Sequence, residues 1–270
     1  MKKAAVVIIA LVFFVICLWF IAIPESLLVD LIENSLGSEY LYLKTEGVKK
    51  GVLYNFGAGR ILLKKKAGGG DSDDTLLVFN DVKGRFEFLS LFRLRPELSF
   101  HGSINHGDVS GSVRLTGKDS LMISGSNIRI NGIPLLELLG IYGDGRLSGS
   151  FLVFNNSGEL KFSVRDVNLK SATLGGIFLP LDLFHDIRGA VKINNDNTVE
   201  VQSFAMTGAG IHARVKGIIQ GNDMNMSLEM MTDASFAPGP LFQMMLENYR
   251  VSPGYYVVPL KGGIPKGEGG

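Results

Sequence analysis

The sequence predicts a mainly β protein: a single N-terminal transmembrane helix followed by a glycine-rich, antiparallel, repeat-like curved β-sheet domain with short helical plugs. Three observations carry that expectation. Apolar and polar residues alternate along many short segments, one long apolar run opens the chain, and glycine accounts for 34 of 270 residues. Strict alternation marks strands with one packed and one solvated face. Glycine at this level suits strands, turns and bulges better than a helical bundle.

The apolar run is Ala4 to Ile23, AAVVIIALVFFVICLWFIAI, twenty residues without a charge. As a helix it spans roughly 30 Å, the hydrocarbon thickness of a bilayer. No small-x-small pattern stands at its end, so the reading is an uncleaved anchor and not a signal peptide. Lys2 and Lys3 precede it, whereas Glu25, Asp30, Glu33 and Glu39 follow it. The positive-inside rule then keeps the amino end in the cytoplasm and exports the remainder, a single-pass inner-membrane arrangement with the bulk in the periplasm. Residues 24–37 read as a juxtamembrane amphipathic helix. Leu27, Leu28, Leu31, Ile32 and Leu36 share one face, Asp30, Glu33 and Asn34 lie opposite, and Gly37 is the stop. Such a helix lies at the membrane interface or covers the end of a β core.

Residues 38–261 read as one exported β-rich domain, and 262–270 as a disordered tail. Val109, Gly111 and Val113 alternate with Ser110, Ser112 and Arg114; Ile211, Ala213 and Val215 with His212, Arg214 and Lys216. Met224, Met226, Leu228 and Met230 alternate with Asp223, Asn225, Ser227 and Glu229. Apolar parity flips across Gly125, between Leu121-Met122-Ile123 and Ile128, Ile130, which predicts a bulge. The stretch from Lys64 to Asp74, KKKAGGGDSDD, reads as a solvated hairpin loop; its aspartates lack EF-hand spacing.

Short apolar segments recur at Leu89 (LSLF), Leu135 (LLELL) and Leu181 (LPLDLF), each forty-six residues after the last. A glycine-led strand is expected after each, at Gly107, Gly145 and Gly189. The predicted unit is a strand, a helical plug and a glycine-rich strand, which buries its apolar face only by stacking on neighbours.

Tests for chemistry come back empty, and the chain reads as a non-enzyme with no catalytic, cofactor-binding or metal-binding residues. The net charge of +1 gives no footprint for nucleic acid. Cys17 is the only cysteine, excluding an intrachain disulfide. The segment from Gly111 to Asp119 has five residues between glycines and Asp119 where a phosphate loop needs a hydroxyl. Gly143, Gly145 and Gly149 miss the dinucleotide spacing. Neither Ser110 nor Ser148 sits in Gly-x-Ser-x-Gly, and both are expected to face solvent. No two of His101, His106, His185 and His212 have helical ligand spacing. Gly111 and Gly149 are placed on apolar strand faces, where a missing side chain permits close packing.

The organisation resembles protein N of the type II secretion system. The matching residues are the segment from Lys2 to Ile23, PLLELL at Pro134, GRLSGSF at Gly145, GAV at Gly189 and PLKGGIP at Pro259, with Pro265 nearer the Pro-Leu-x-Gly stretch than in the family. The resemblance implies an accessory inner-membrane subunit. Its periplasmic domain would contact other secretion subunits, the inner-membrane platform and the secretin, with Ala4 to Ile23 as its bilayer contact. It brings no catalytic residues. The architecture is also similar to AsmA-like proteins. That likeness implies, as the alternative, a periplasmic lipid-handling protein whose apolar trough carries acyl chains.

Overall fold

A computed structural model describes residues 24–34, 41–51, 54–66, 74–87, 97–114, 120–138, 141–154, 157–170, 172–174, 177–196, 198–221, 223–234, 236 and 240–263. The predicted span from Ala4 to Ile23, the segment at Leu89 and most of the loop between Lys64 and Asp74 lie outside them. No described helix is long and apolar enough to cross a membrane. The described chain is mainly β, antiparallel, with few and short helices. It divides into two compact units where the sequence reading has one β domain: residues 1–104 with 108–117, and residues 105–107 with 118–270.

The first unit contains α1 (Glu25–Glu33) and strands β1 (Leu41–Glu46), β2 (Lys49–Lys50), β3 (Asn55–Lys65), β4 (Asp74–Phe86), β5 (Glu97–Ile104) and β6 (Gly107–Arg114). The strand order is β1-β3-β4-β5-β6, with β2 beside β3. Helix α1 covers the end of this sheet. Leu28 is 3% exposed and packs with Phe56 and Leu98, ringed by Ile32, Val48, Tyr54 and Phe86. Two expectations about α1 are corrected. Leu27 stays exposed, because neighbours on a helix diverge by about 100° and the docked stripe is narrow. Glu33 is not a solvent-face residue: its Oε1 accepts the Thr45 N–H at 2.7 Å and the Thr45 hydroxyl at 2.9 Å. Glu25 likewise accepts the Lys50 N–H at 3.1 Å. These bonds tie the helix to the edge strands.

Asn105 and His106 join β5 to β6 with φ of 42° and 68°, the left-handed pair that a tight hairpin turn requires. Asp81 (φ 50°) sits where the β4–β5 register slips by one residue, a bulge that the alternation did not reveal.

The second unit runs β7 (Ser120–Arg129), α2 (Pro134–Leu138), β8 (Gly143–Phe154), β9 (Ser157–Leu169), the small hairpin β10 (Ala172–Leu174) and β11 (Ile177–Leu179), a 3-10 turn (Leu181–Leu183), β12 (Phe184–Ile193), β13 (Thr198–Gly208), β14 (Ile211–Gln220), β15 (Asp223–Thr232), α3 (Pro240–Glu247), β16 (Arg250–Ser252) and β17 (Tyr255–Gly263). The strand order is β7-β8-β9-β12-β13-β14-β15-β17-β16. The expected alternation holds on β14 and β15: Ile211, Ala213, Val215, Met224, Met226, Leu228 and Met230 are buried, while His212, Arg214 and Lys216 are exposed. The bulge expected at Gly125 is present, as a register shift between Gly125 and Ile128 with Asn127 at φ 54°. Strand β17 continues to Gly263, two residues into the stretch read as tail, whose remainder lies outside the described residues. Pro259 lies beyond the two residues that β16 covers, on an edge where a missing N–H is tolerated.

The plugs at Leu135 and Leu181 are short helical turns, as expected, and Leu136, Leu181 and Leu183 pack half-buried against the core of this unit. Of the glycine-led strands, the one at Gly107 is present as β6, and the other two need correction. Strand β8 starts at Gly143 and not at Gly145, and β12 starts at Phe184 and carries Gly189 in its middle. Two long strands separate the plugs at Leu135 and Leu181, whereas four strands precede α3. The forty-six-residue spacing is therefore not a fixed structural unit.

The glycines have a different regularity. Register partners across the second unit form the row Gly125, Gly149, Phe162, Gly189, Phe204, Val215, Leu228 and Val258. Gly189 thus lies between two phenylalanines whose ring centroids are 6.0 Å apart. In the first unit Gly84 lies in the same way between Phe56 and Phe100. A Cβ on Gly84 would overlap the Phe56 ring, and one on Gly189 the Phe162 ring. The rings lie down over bare backbone, so each glycine supplies the room its neighbour's bulk requires.

Candidate functional site

The sequence-weighed groups scatter. Ser110 is exposed on β6. Ser148 corrects the expectation that it faces solvent: it is half-buried on β8, and its Oγ accepts the Asn127 N–H at 3.1 Å, fastening the bulge. Gly143 to Gly149 and Gly111 to Arg114 form strands, not the turn-into-helix that cradles phosphates. His101, His106, His185 and His212 are all exposed. Among the described residues no group of three His, Cys, Asp or Glu side chains is placed to hold a metal ion.

Among the described residues two titrating groups are shifted, both by local surface bonds. Asp186 raises the Arg188 pKa, first through a hydrogen bond to its carboxylate and then through its charge. The Arg188 Nη2 and Asp186 Oδ2 stand 2.7 Å apart, two residues along one strand face. The Asp196 pKa is lowered because its carboxylate accepts the Thr198 N–H at 3.0 Å in the β12–β13 turn. These bonds stabilise a strand and a turn and sit in no cleft.

Two concave surfaces stand out among the described residues. In the second unit a hollow of about 390 Å³ beside α2 is lined by Glu137, Tyr142, Asp144, Asn168 and Lys170 among others, two carboxylates against one lysine. In the first unit an open concavity of about 740 Å³ spans β2 to β5. A single cross-strand row floors it: Lys49, Gly57, Lys83 and His101 are successive register partners. Arg85 stands one pleat along β4 from Lys83, between Asn55 and Ser99. Among the described residues Lys49, Lys83, Arg85 and His101 have no ion-pair partner. Asp81 and Glu87 bound the cations along β4, and Glu87 accepts the Ser99 hydroxyl at 3.1 Å. Sequence reading missed this site, because Lys49 stands on β2, Lys83 and Arg85 on β4 and His101 on β5, and these strands are brought together only through register.

The Met224-to-Met230 face, which the trough reading would leave open, is closed. Leu228 and Met230 are fully buried and Met226 is 8% exposed, in one core with Phe242 and Leu246 from α3. On the opposite face Met122 and Leu152 are register partners, 51% and 42% exposed, with Phe154 at 46% nearby on β8. No family model, curated protein or solved structure matches the chain.

Proposed function

We propose that this chain is an accessory subunit of a type II protein secretion system. It is anchored in the inner membrane by Ala4 to Ile23, and its periplasmic β units contact the platform and the secretin. The anchor, the orientation and the family come from the sequence; the mainly β, antiparallel build of the described chain is compatible with that reading. The observation that supports it best is how apolar surface is distributed in the second unit. The Met224-to-Met230 face is buried, in one core with Phe242 and Leu246. Met122, Leu152 and Phe154 instead remain open on the opposite face, as Ile218 and Met231 do farther along the sheet. Exposed apolar clusters of this kind mark protein contacts more often than chance exposure. The lipid-carrying alternative requires the Met224-to-Met230 face to open.

The test is genetic and biochemical. Deletion of this chain in its host is expected to leave folded substrates of the secretion system in the periplasm, with secretion restored by the full chain. Undiminished secretion after deletion would contradict the reading.

A further inference from the structure

We propose that the concavity of the first unit is a phosphate-binding site, in which Lys49 and Lys83 flank an anion seated over Gly57. Lys49 on β2 and Lys83 on β4 are each register partners of Gly57 on β3. Their strands are therefore two apart, about 10 Å between backbones, and their side chains leave the same face of the sheet. Between them Gly57 contributes no side chain, and a Cβ there would find only the Val82 carbonyl oxygen, at 3.6 Å. The result is a gap with a cation on each side. His101 continues the row beyond Lys83, and Arg85 adds a planar fork of donors suited to phosphate oxygens.

Charge accounts for the choice of ligand. Exposed cations of the second unit pair with neighbouring carboxylates, as in Lys161–Glu159, Lys216–Glu229 and Arg188–Asp186. In the concavity the carboxylates of Asp81 and Glu87 lie at the two ends of the β4 row and leave its middle positive. A concave, unpaired cluster of this kind concentrates anions and focuses its field on them. The open mouth accepts either a free phosphate or the phosphate of a lipid headgroup. This inference does not depend on the secretion reading.

The experiment uses the full chain in detergent and two probes, inorganic phosphate and dihexanoyl phosphatidic acid, with dihexanoyl phosphatidylcholine as the zwitterionic control. Binding is followed by calorimetry at low salt. The intact chain is expected to bind phosphatidic acid more tightly than phosphatidylcholine. Lys49→Gln with Lys83→Gln is expected to weaken binding by about tenfold or more. Gly57→Val, which fills the seat without changing charge, should weaken it too, and Arg214→Gln in the second unit should not. Inorganic phosphate competing at equal affinity identifies a free oxyanion as the ligand. Preference for the lipid with the same dependence on Lys49 and Lys83 identifies a headgroup. Failure of the intact chain to bind either probe, or undiminished binding by a folded K49Q/K83Q variant, overturns the proposal.

Discussion

Phe162 on β9 lies over Gly189 on β12, its register partner, so closely that a Cβ on Gly189 would stand 2.3 Å from a carbon of the ring. Gly189→Ala must tip Phe162 out of its place against Phe204, and is expected to destabilise the second unit by about 1–3 kcal/mol through overpacking. Phe162→Leu in the same chain should recover part of that loss. A double-mutant cycle by denaturant unfolding measures the coupling, and strict additivity would separate the two residues.

Two glycines make a sharper pair. A Cβ at Gly149 would lie 2.6 Å from the Lys161 carbonyl oxygen, where only backbone movement gives relief. Gly149→Ala should therefore cost about 1–3 kcal/mol. Gly57, whose nearest obstacle is 3.6 Å away, should accept alanine within about 0.5 kcal/mol. Unfolding midpoints of the two variants decide this.

The two serines that share the Gly-Ser motif should part company. Ser148→Ala removes the acceptor of the Asn127 N–H and is expected to cost about 1 kcal/mol, with faster hydrogen exchange at Asn127. Ser110→Ala, on an exposed face, should stay within about 0.5 kcal/mol.

Asp196 makes the β12–β13 turn sensitive to acid. Its folded pKa is depressed below the unfolded value because the ionised carboxylate accepts the Thr198 N–H. The stabilisation is then present above the unfolded value, near 4, and is lost as pH falls through the folded one. Asp196→Asn should lower the melting temperature slightly at neutral pH, and the gap to the unmodified chain should close below about pH 4. A gap that persists in acid would assign the turn to other contacts.

What the sequence made legible was local. Period-two alternation located β14 and β15, and the parity flip at Gly125 located a bulge, because each depends only on successive residues of one strand. The fit of Phe162 to Gly189, and the cationic row from Lys49 to His101, depend on register between strands far apart in the chain. Composition and periodicity do not encode that register. Helix α3 was missed because two extra strands interrupt the plug spacing; Pro240 at its start and Phe242 with Leu246 four residues on were the available signal. Glu33 looked like a solvent-face residue because helical periodicity cannot show that Thr45 stands opposite.

The central claim, a sealed β scaffold that touches protein partners of a secretion machine, is tested most directly by site-specific photo-crosslinking of the full chain in living cells. A crosslinker at Met226 is expected to yield only intrachain products, and one at Leu152 an adduct with a platform or secretin subunit identified by mass spectrometry. Lipid or lipopolysaccharide captured at Met226, with no secretion component at Leu152, would contradict the account and favour the lipid-handling alternative.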